Sequence, residues 1–233
     1  LACWVTPLVL RLFNAATSGE TGTMNTARDY AGYAAKMRQH VLAGTDMDVD
    51  VRFIDMMCRR GARVLDIGCG IGNAVNGLRR RGHAAYGIDP TAEVLEVAGE
   101  LYDEAWFRRL AAVDITPEAL RMNGLPQAYD VILMSGNVPS FLTTHELHET
   151  FRQVAELLAA GGIFVLGTTT AIQGGPVDQD KAAAGLGLTL SHRFSDWHLG
   201  AFRADSPWSV SIFTAAASMD FGEGPDGMFV LKG

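Results

Sequence analysis

The sequence predicts one α/β domain built on a largely parallel, doubly wound sheet, and three observations predict it. Short apolar runs alternate with segments of helical period along most of the 233 residues. The first clear run, Val64-Leu65-Asp66-Ile67, passes at once into three glycines at alternate positions, Gly68, Gly70 and Gly72, and then into a helix-compatible stretch. The next two runs each end in an acid, Asp89 and Asp114. Open sheets of this kind bind ligands outside the carboxyl ends of their strands, where these residues collect.

Composition sets the bounds. The chain is long enough for one α/β domain with a full core and needs no second. Hydrophobic content of 48% and charged content of 19% are ordinary for a globular protein. A net charge of -7 with a pI near 5.3 argues against a broad nucleic-acid surface. Cys3, Cys58 and Cys69 stand at no metal-ligand spacing, so a reduced, cytoplasmic chain is expected. Residues 1–23 lack an initiating Met and a basic region, and Arg11 interrupts their apolar run short of a membrane span. Met24 followed by NTARDY reads as a start. Residues 1–23 are therefore expected to be a non-native or disordered extension, the alternative being a short amphipathic segment packed on the domain.

From Thr26 to about Leu42, Tyr30, Tyr33 or Ala34, Met37 and Val41 share one stripe, which predicts a helix, whole or broken. The acidic, turn-rich run GTDMDVD follows. A second helix is expected over Val51–Arg60, with Phe53, Ile54 and Met57 at core spacing and Gly61 as its stop.

The glycine stretch narrows the ligand. Glycine takes φ > 0 and lets a ligand approach without a Cβ in the way, and the helix starting near Asn73 turns its N-terminus toward the loop. A dinucleotide fingerprint, G-x-G-x-x-G, needs its third glycine at position 73, which is Asn73. What stands is D-x-G-x-G-x-G. Asp66 repels a pyrophosphate but suits an ammonium group, which disfavours NAD and favours a cationic or zwitterionic nucleoside. Val64 to Gly72 resembles, almost residue for residue, the first motif of the class I S-adenosylmethionine-dependent methyltransferases.

That resemblance covers roughly residues 26–213 and is most specific in the first two motifs. It implies a Rossmann-like sheet of seven strands, mostly parallel with one antiparallel strand near the end, and helices on both faces. It implies S-adenosylmethionine as the cofactor, with Asp66, Gly68, Cys69, Gly70 and Gly72 around it. Cys69 serves as a small side chain that fits and has no catalytic role. In the resembled family an N-terminal helical segment closes over the cofactor, which makes Tyr30, Tyr33, His40 and Arg52 candidate pocket residues. Tyr30, Tyr33 and His40 are also the candidates for a general base. Taken singly, the tyrosines serve equally well as core packing and Arg52 as a solvated or paired side chain.

Beyond the loop, Val75 and Leu78 face the sheet, while Arg79, Arg80 and Arg81 suit the negative end of a helix that Gly82 stops. The strand Ala84 to Ile88 ends in Asp89, whose two acceptor oxygens suit the cis diol of a ribose. Pro90, counted with the cofactor residues, and Thr91 start a helix carrying Val94, Leu95 and Ala98. A third strand is expected over Ala111–Ile115, followed by the cap pair Thr116-Pro117. Under the resemblance Asp114 accepts from the adenine amine and the Ile115 N–H meets the ring; read alone, Asp114 also serves as a turn cap. Tyr129 to Met134 is the most apolar strand, as a buried parallel centre requires. It ends at Ser135, Gly136 and Asn137, beside the reactive methyl under the resemblance. Amino-methylating nucleic-acid enzymes carry Asp or Asn, Pro-Pro and an aromatic at this lip. Asn137-Val138-Pro139-Ser140-Phe141 departs from that pattern and argues against a base-flipping enzyme.

Thr143 and Glu146 read as a capping box for a helix with Leu147, Phe151, Val154 and Leu158 buried, ending at Gly161-Gly162. Within it HELHE lacks the second His that a zinc site needs, since that position is Glu149, and no metal is expected. Ile163 to Thr168 is the fifth strand, Thr169 to Asp180 a mobile lid, and Lys181 to Ala184 a short helix. Leu188 to Phe194 and Val210 to Phe213 form a closing hairpin around the loop Ser195 to Pro207. Trp197, Phe202 and Trp208 there are sheet-edge packing, or else one substrate wall. The plan is a helical cap over 24–61, a core over 62–214, and an unassigned tail over 215–233. The expected activity is transfer of the sulfonium methyl to O, N or C of a small molecule by a monomer or homodimer, without a membrane or nucleic-acid partner. The alternatives are a nucleic-acid or protein methyltransferase, or a non-catalytic S-adenosylmethionine-binding module.

Overall fold

The computed structural model describes residues 29–215. The segments expected at 1–23 and, past its first residue, 215–233 lie outside the described residues. Two helices, α1 (Tyr30–Leu42) and α2 (Val49–Met57), precede an alternation of β1 (Arg63–Ile67), α3 (Asn73–Arg80), β2 (Ala84–Asp89), α4 (Ala92–Leu101), β3 (Phe107–Arg109), α5 (Pro117–Met122) and β4 (Tyr129–Met134). Then come α6 (Thr144–Leu157), β5 (Leu158–Thr169), α7 (Pro176–Ala183), β6 (Thr189–Phe194) and β7 (Trp208–Thr214). The seven strands form one sheet in the order β3-β2-β1-β4-β5-β7-β6. β7 runs antiparallel to both its neighbours and every other pair is parallel. This is the seven-stranded α/β sheet with one reversed strand that the sequence predicts.

β4 shows why the centre reads as an unbroken apolar run. Tyr129, Ile132 and Met134 face a core closed by Leu120 of α5, by Leu147, Phe151, Val154 and Leu157 of α6, and by Ala182 and Ala183 of α7. Val131 and Leu133 face the opposite core, closed by Val51, Phe53 and Ile54 of α2, Val75 and Leu78 of α3, and Ala98 of α4. Both faces are covered, so alternation disappears. A small third core of Ala34, Ile71 and Val94 seats α1 against the glycine loop and α4. The capping box is present: Glu146 N donates to Thr143 Oγ1 at 3.2 Å, and Thr143 N to Glu146 Oε2 at 2.7 Å.

Several boundaries differ from expectation. The third strand is Phe107–Arg109, and residues 112–114 of the expected strand form a 3₁₀ turn. Phe107 decides this, because its ring fills the hollows above Gly72 and Gly87, where a built Cβ would lie 2.4 and 3.0 Å from it. α6 stops at Leu157 rather than at Gly161-Gly162, since Leu158 already pairs with Tyr129 of β4 and Gly161 makes the following irregularity at φ 74. α7 begins at Pro176, well before Lys181, with proline in the first turn, where its missing N–H costs nothing. The stretch expected as a mobile lid is thereby pinned: Gly174 N donates to Asp178 Oδ2 at 3.1 Å, Gln179 Nε2 to Gly174 O at 2.8 Å, and Gln173 reaches Leu142 O. Finally, α2 runs Val49–Met57 instead of Val51–Arg60, which places Asp50 in its first turn.

Candidate functional site

The strand order reverses between β1 and β4, so the crevice outside their carboxyl ends is the natural site. Gly68, Gly70 and Gly72 supply its floor with φ of 73, 53 and 79°. Gly68 N and Cys69 N both donate to Ile88 O, at 2.8 and 3.0 Å, and Gly72 N donates to Cys69 O at 2.9 Å. Gly70 N donates to Asp89 Oδ2 at 3.1 Å. These four loop N–H groups are thus satisfied inside the fold and do not make a phosphate cradle. Beside the loop stand two buried carboxylates, Asp66 and Asp89.

Asp89 is buried, and its other oxygen accepts from Thr91 N at 2.9 Å. Pro90 is exposed, and its carbonyl accepts from Arg109 Nε at 3.0 Å. Asp66 is 2% exposed, and its Oδ1 has no hydrogen-bond partner. Burial pushes its carboxyl well above the usual carboxylate range, and the charges of Asp50 and Asp89 push it further. A buried carboxyl left half unsatisfied is costly unless a donor reaches it.

A raised acid makes the folded state bind the proton more tightly than the unfolded chain does. The stability this adds is full below the unfolded value near 4 and is lost as pH rises through the folded value. The ligand-free protein is therefore expected to lose stability as pH rises above the unfolded value near 4 through the raised folded value, and Asp66→Asn to flatten that slope. Urea midpoints across the range check this, and an equal slope in the variant would contradict it.

At the other lip, Ser135 is half-buried and Gly136 exposed, with nothing within 4 Å of a built Gly136 Cβ. Asn137 is buried at φ 65, and its Oδ1 accepts from Thr168 Oγ1 at 2.7 Å and Thr169 N at 2.9 Å. That carbonyl oxygen locks the lip to β5. Asp114 is exposed on its turn, while Ile115 is fully buried in the core.

Of the cap residues, Tyr33 comes nearest. A built Gly70 Cβ would lie 3.9 Å from its hydroxyl. Tyr33 is 47% exposed, and partial burial together with the Asp89 charge raises its phenol above the ordinary value. Tyr30 is 39% exposed, and the His40 ring meets Thr45 Oγ1 at 3.4 Å near the far end of α1. Arg52 is exposed and pairs with Asp46 at 2.9 Å. Trp197 packs edge-on against Phe53, with ring centroids 5.4 Å apart, and both it and Trp208 close over Gly167, which is packing. Phe202 lies under Arg193. His145 and His148 are exposed, and among the described residues no group of three or more His, Cys, Asp or Glu stands together to hold a metal ion. No helix among them is long and apolar enough to cross a membrane.

Sequence reasoning missed Asp50. It reads as one acid in an acidic turn, yet its carboxylate accepts from Val51 N at 2.8 Å and from the Ser135 side chain on the β4 lip. The available signal was its place three residues before the core residue Phe53, in a first helical turn where acids are favoured.

Both described cysteines are free thiols and buried. Burial, with the Asp55 charge, pushes Cys58 up to about 12, and burial raises Cys69 well above its ordinary value. Neither is expected to alkylate in the native protein at mildly alkaline pH, while both should react in denaturant. Peptide mapping after iodoacetamide checks it.

Residues 65–164 match the family described as a methyltransferase domain. No curated protein matches the chain. Among solved structures, a TehB-like SAM-dependent methyltransferase from Corynebacterium glutamicum superposes with a TM-score of 0.70 at 28% identity, covering 79% of this chain and 97% of that one. A SAM-dependent methyltransferase from Clostridium acetobutylicum superposes at 0.64 with 12% identity, covering 80% and 99%. The CcbJ methyltransferase of Streptomyces caelestis superposes at 0.60 with 19% identity, covering 75% and 98%. The latter two are likenesses of fold.

Proposed function

We propose that this protein, a class I S-adenosylmethionine-dependent methyltransferase, moves the methyl group of its cofactor to O, N or C of a small-molecule acceptor. The observation that carries the reading is the acceptor-rich crevice: loop N–H groups turned inward, and Asp66 and Asp89 buried at its edge. Such a lining suits a ligand rich in donors and positive charge and opposes a pyrophosphate.

In this reading Asp66 takes the cofactor's ammonium and Asp89 its ribose hydroxyls. Asp114 at the rim takes the adenine amine, with the Ile115 N–H on the ring. Gly68, Cys69, Gly70, Gly72 and Pro90 form the wall, and Ser135, Gly136 and Asn137 the lip beside the methyl. When bound, the cofactor supplies an electrophile already activated as a sulfonium. The chain therefore contributes mainly positioning, worth up to about 7 to 11 kcal/mol in favourable cases, and exclusion of water by the helical cap 24–61 over the core 62–214. Tyr33, protonated above Gly70, serves there as a donor at the cap.

A small acceptor is supported by the net charge of -7 and by the departure of Asn137-Val138-Pro139-Ser140-Phe141 from the lip of nucleic-acid amino-methylating enzymes. Two buried free thiols suit a reducing cytoplasm, as a monomer or homodimer. The test is calorimetric titration with S-adenosylmethionine, S-adenosylhomocysteine and NAD, followed by labelled methyl transfer to small-molecule pools, transfer RNA and protein. Binding of the adenosyl pair and label in the small-molecule pool are expected. Binding of NAD alone overturns the cofactor reading, label in macromolecules overturns the acceptor reading, and binding without any transfer favours a regulatory module.

A further inference from the structure

The cap brings a second carboxylate to the crevice. Leu133 is the register partner of Asp66, so Ser135 stands one pleat further toward the carboxyl edge on the same sheet face. Asp50 reaches that Ser135 from α2, and its charge acts on Asp66. Asp66 is nine-tenths buried and more, with Oδ1 unpartnered. Two carboxylates facing one water-poor space are unfavourable with no cation between them.

The surroundings supply none. Asp48, the residue before α2, is paired with Arg81, the residue after α3, at 3.2 Å. Asp89 on β2 adds negative charge, and Tyr33 on α1 adds a neutral phenol. Among the described residues no cationic side chain bonds to Asp50 or Asp66. What satisfies the pair is a positive group with several N–H donors, and a primary ammonium has three.

We propose that Asp50 is a second carboxylate of the cofactor's ammonium site, so that the amino-acid end of S-adenosylmethionine is gripped jointly by cap helix α2 and core strand β1. The proposal rests on the methyltransferase reading. It makes closure of the cap depend on the ligand, because the bound ammonium bridges Asp50 on α2 and Asp66 on β1, which no cationic side chain joins. It also makes loading release protons, since the empty pair holds protons that an ammonium displaces.

The test is calorimetric titration of wild type, Asp50→Asn and Asp50→Glu with S-adenosylhomocysteine and with 5′-methylthioadenosine, which lacks the amino-acid end, in buffers of different ionisation heat. Asp50→Asn should weaken the homocysteine ligand about tenfold or more while leaving 5′-methylthioadenosine within about twofold. Asp50→Glu should recover part of the loss, and proton release should fall in Asp50→Asn. Unchanged homocysteine binding in Asp50→Asn, or equal loss of both ligands, overturns the proposal. Wild type binding neither ligand would instead remove the cofactor reading itself.

Discussion

Asp89→Ala is expected to abolish measurable binding of S-adenosylhomocysteine in a protein that still folds. The carboxylate holds two backbone donors, Gly70 N at 3.1 Å and Thr91 N at 2.9 Å, and so ties the glycine loop to the start of α4. Its loss leaves both without a partner, at about 1–3 kcal/mol each if they stay dry. Under the proposed role it also removes both ribose contacts. Hydrogen bonds to a charged acceptor are worth roughly 1.5–3 kcal/mol each, so affinity should fall by about two to four orders of magnitude. Asp89→Asn keeps one acceptor oxygen and should lie between. Removing the Asp89 charge also relieves Asp66, whose carboxyl should then ionise at lower pH. Calorimetry reads the affinity, and wild-type binding by a folded Asp89→Ala protein would take Asp89 out of the site.

The parts of this site legible in the sequence are those where one residue type answers a strict local demand. Three glycines at alternate positions announce a backbone with φ > 0, and all three have it. Thr143 and Glu146 announce a helix start through a bond pattern complete within four residues. What was not legible depends on distant partners. Phe107 becomes the third strand because Gly72 and Gly87 leave hollows for its ring, and nothing local to Phe107 says so. Leu158 fits the helical stripe as well as it fits a strand, and pairing with Tyr129 decides for the strand. Asp50 acquires its neighbours only when α2 packs on the sheet and carries it to Ser135. The loop expected over Thr169–Asp180 is cut short by α7 for a related reason, since Gln173 reaches Leu142 O and the side chains of Asp178 and Gln179 bond back to Gly174.

Gly70→Ala and Gly72→Ala look alike in sequence, and the structure predicts opposite losses. Both glycines lie at positive φ, at 53 and 79°, so an alanine at either pays a left-handed penalty of about 1–2 kcal/mol. Space separates them. A Cβ on Gly70 meets nothing nearer than the Tyr33 hydroxyl at 3.9 Å, whereas one on Gly72 would stand 2.4 Å from Phe107 Cζ. Phe107 cannot withdraw easily, because the same ring also lies against Gly87. Overpacking of this sort costs typically about 1–3 kcal/mol more. Gly72→Ala should therefore lower the urea midpoint by the larger amount, the two costs together. Gly70→Ala should lose only the left-handed penalty in stability and should also lose cofactor, because its methyl enters the space between the loop and Tyr33 where the ligand is proposed to lie. A Gly70→Ala protein that binds S-adenosylhomocysteine like wild type would move the ligand off the loop. A Gly72→Ala protein as stable as Gly70→Ala would mean that the Phe107 ring has room that this packing denies it.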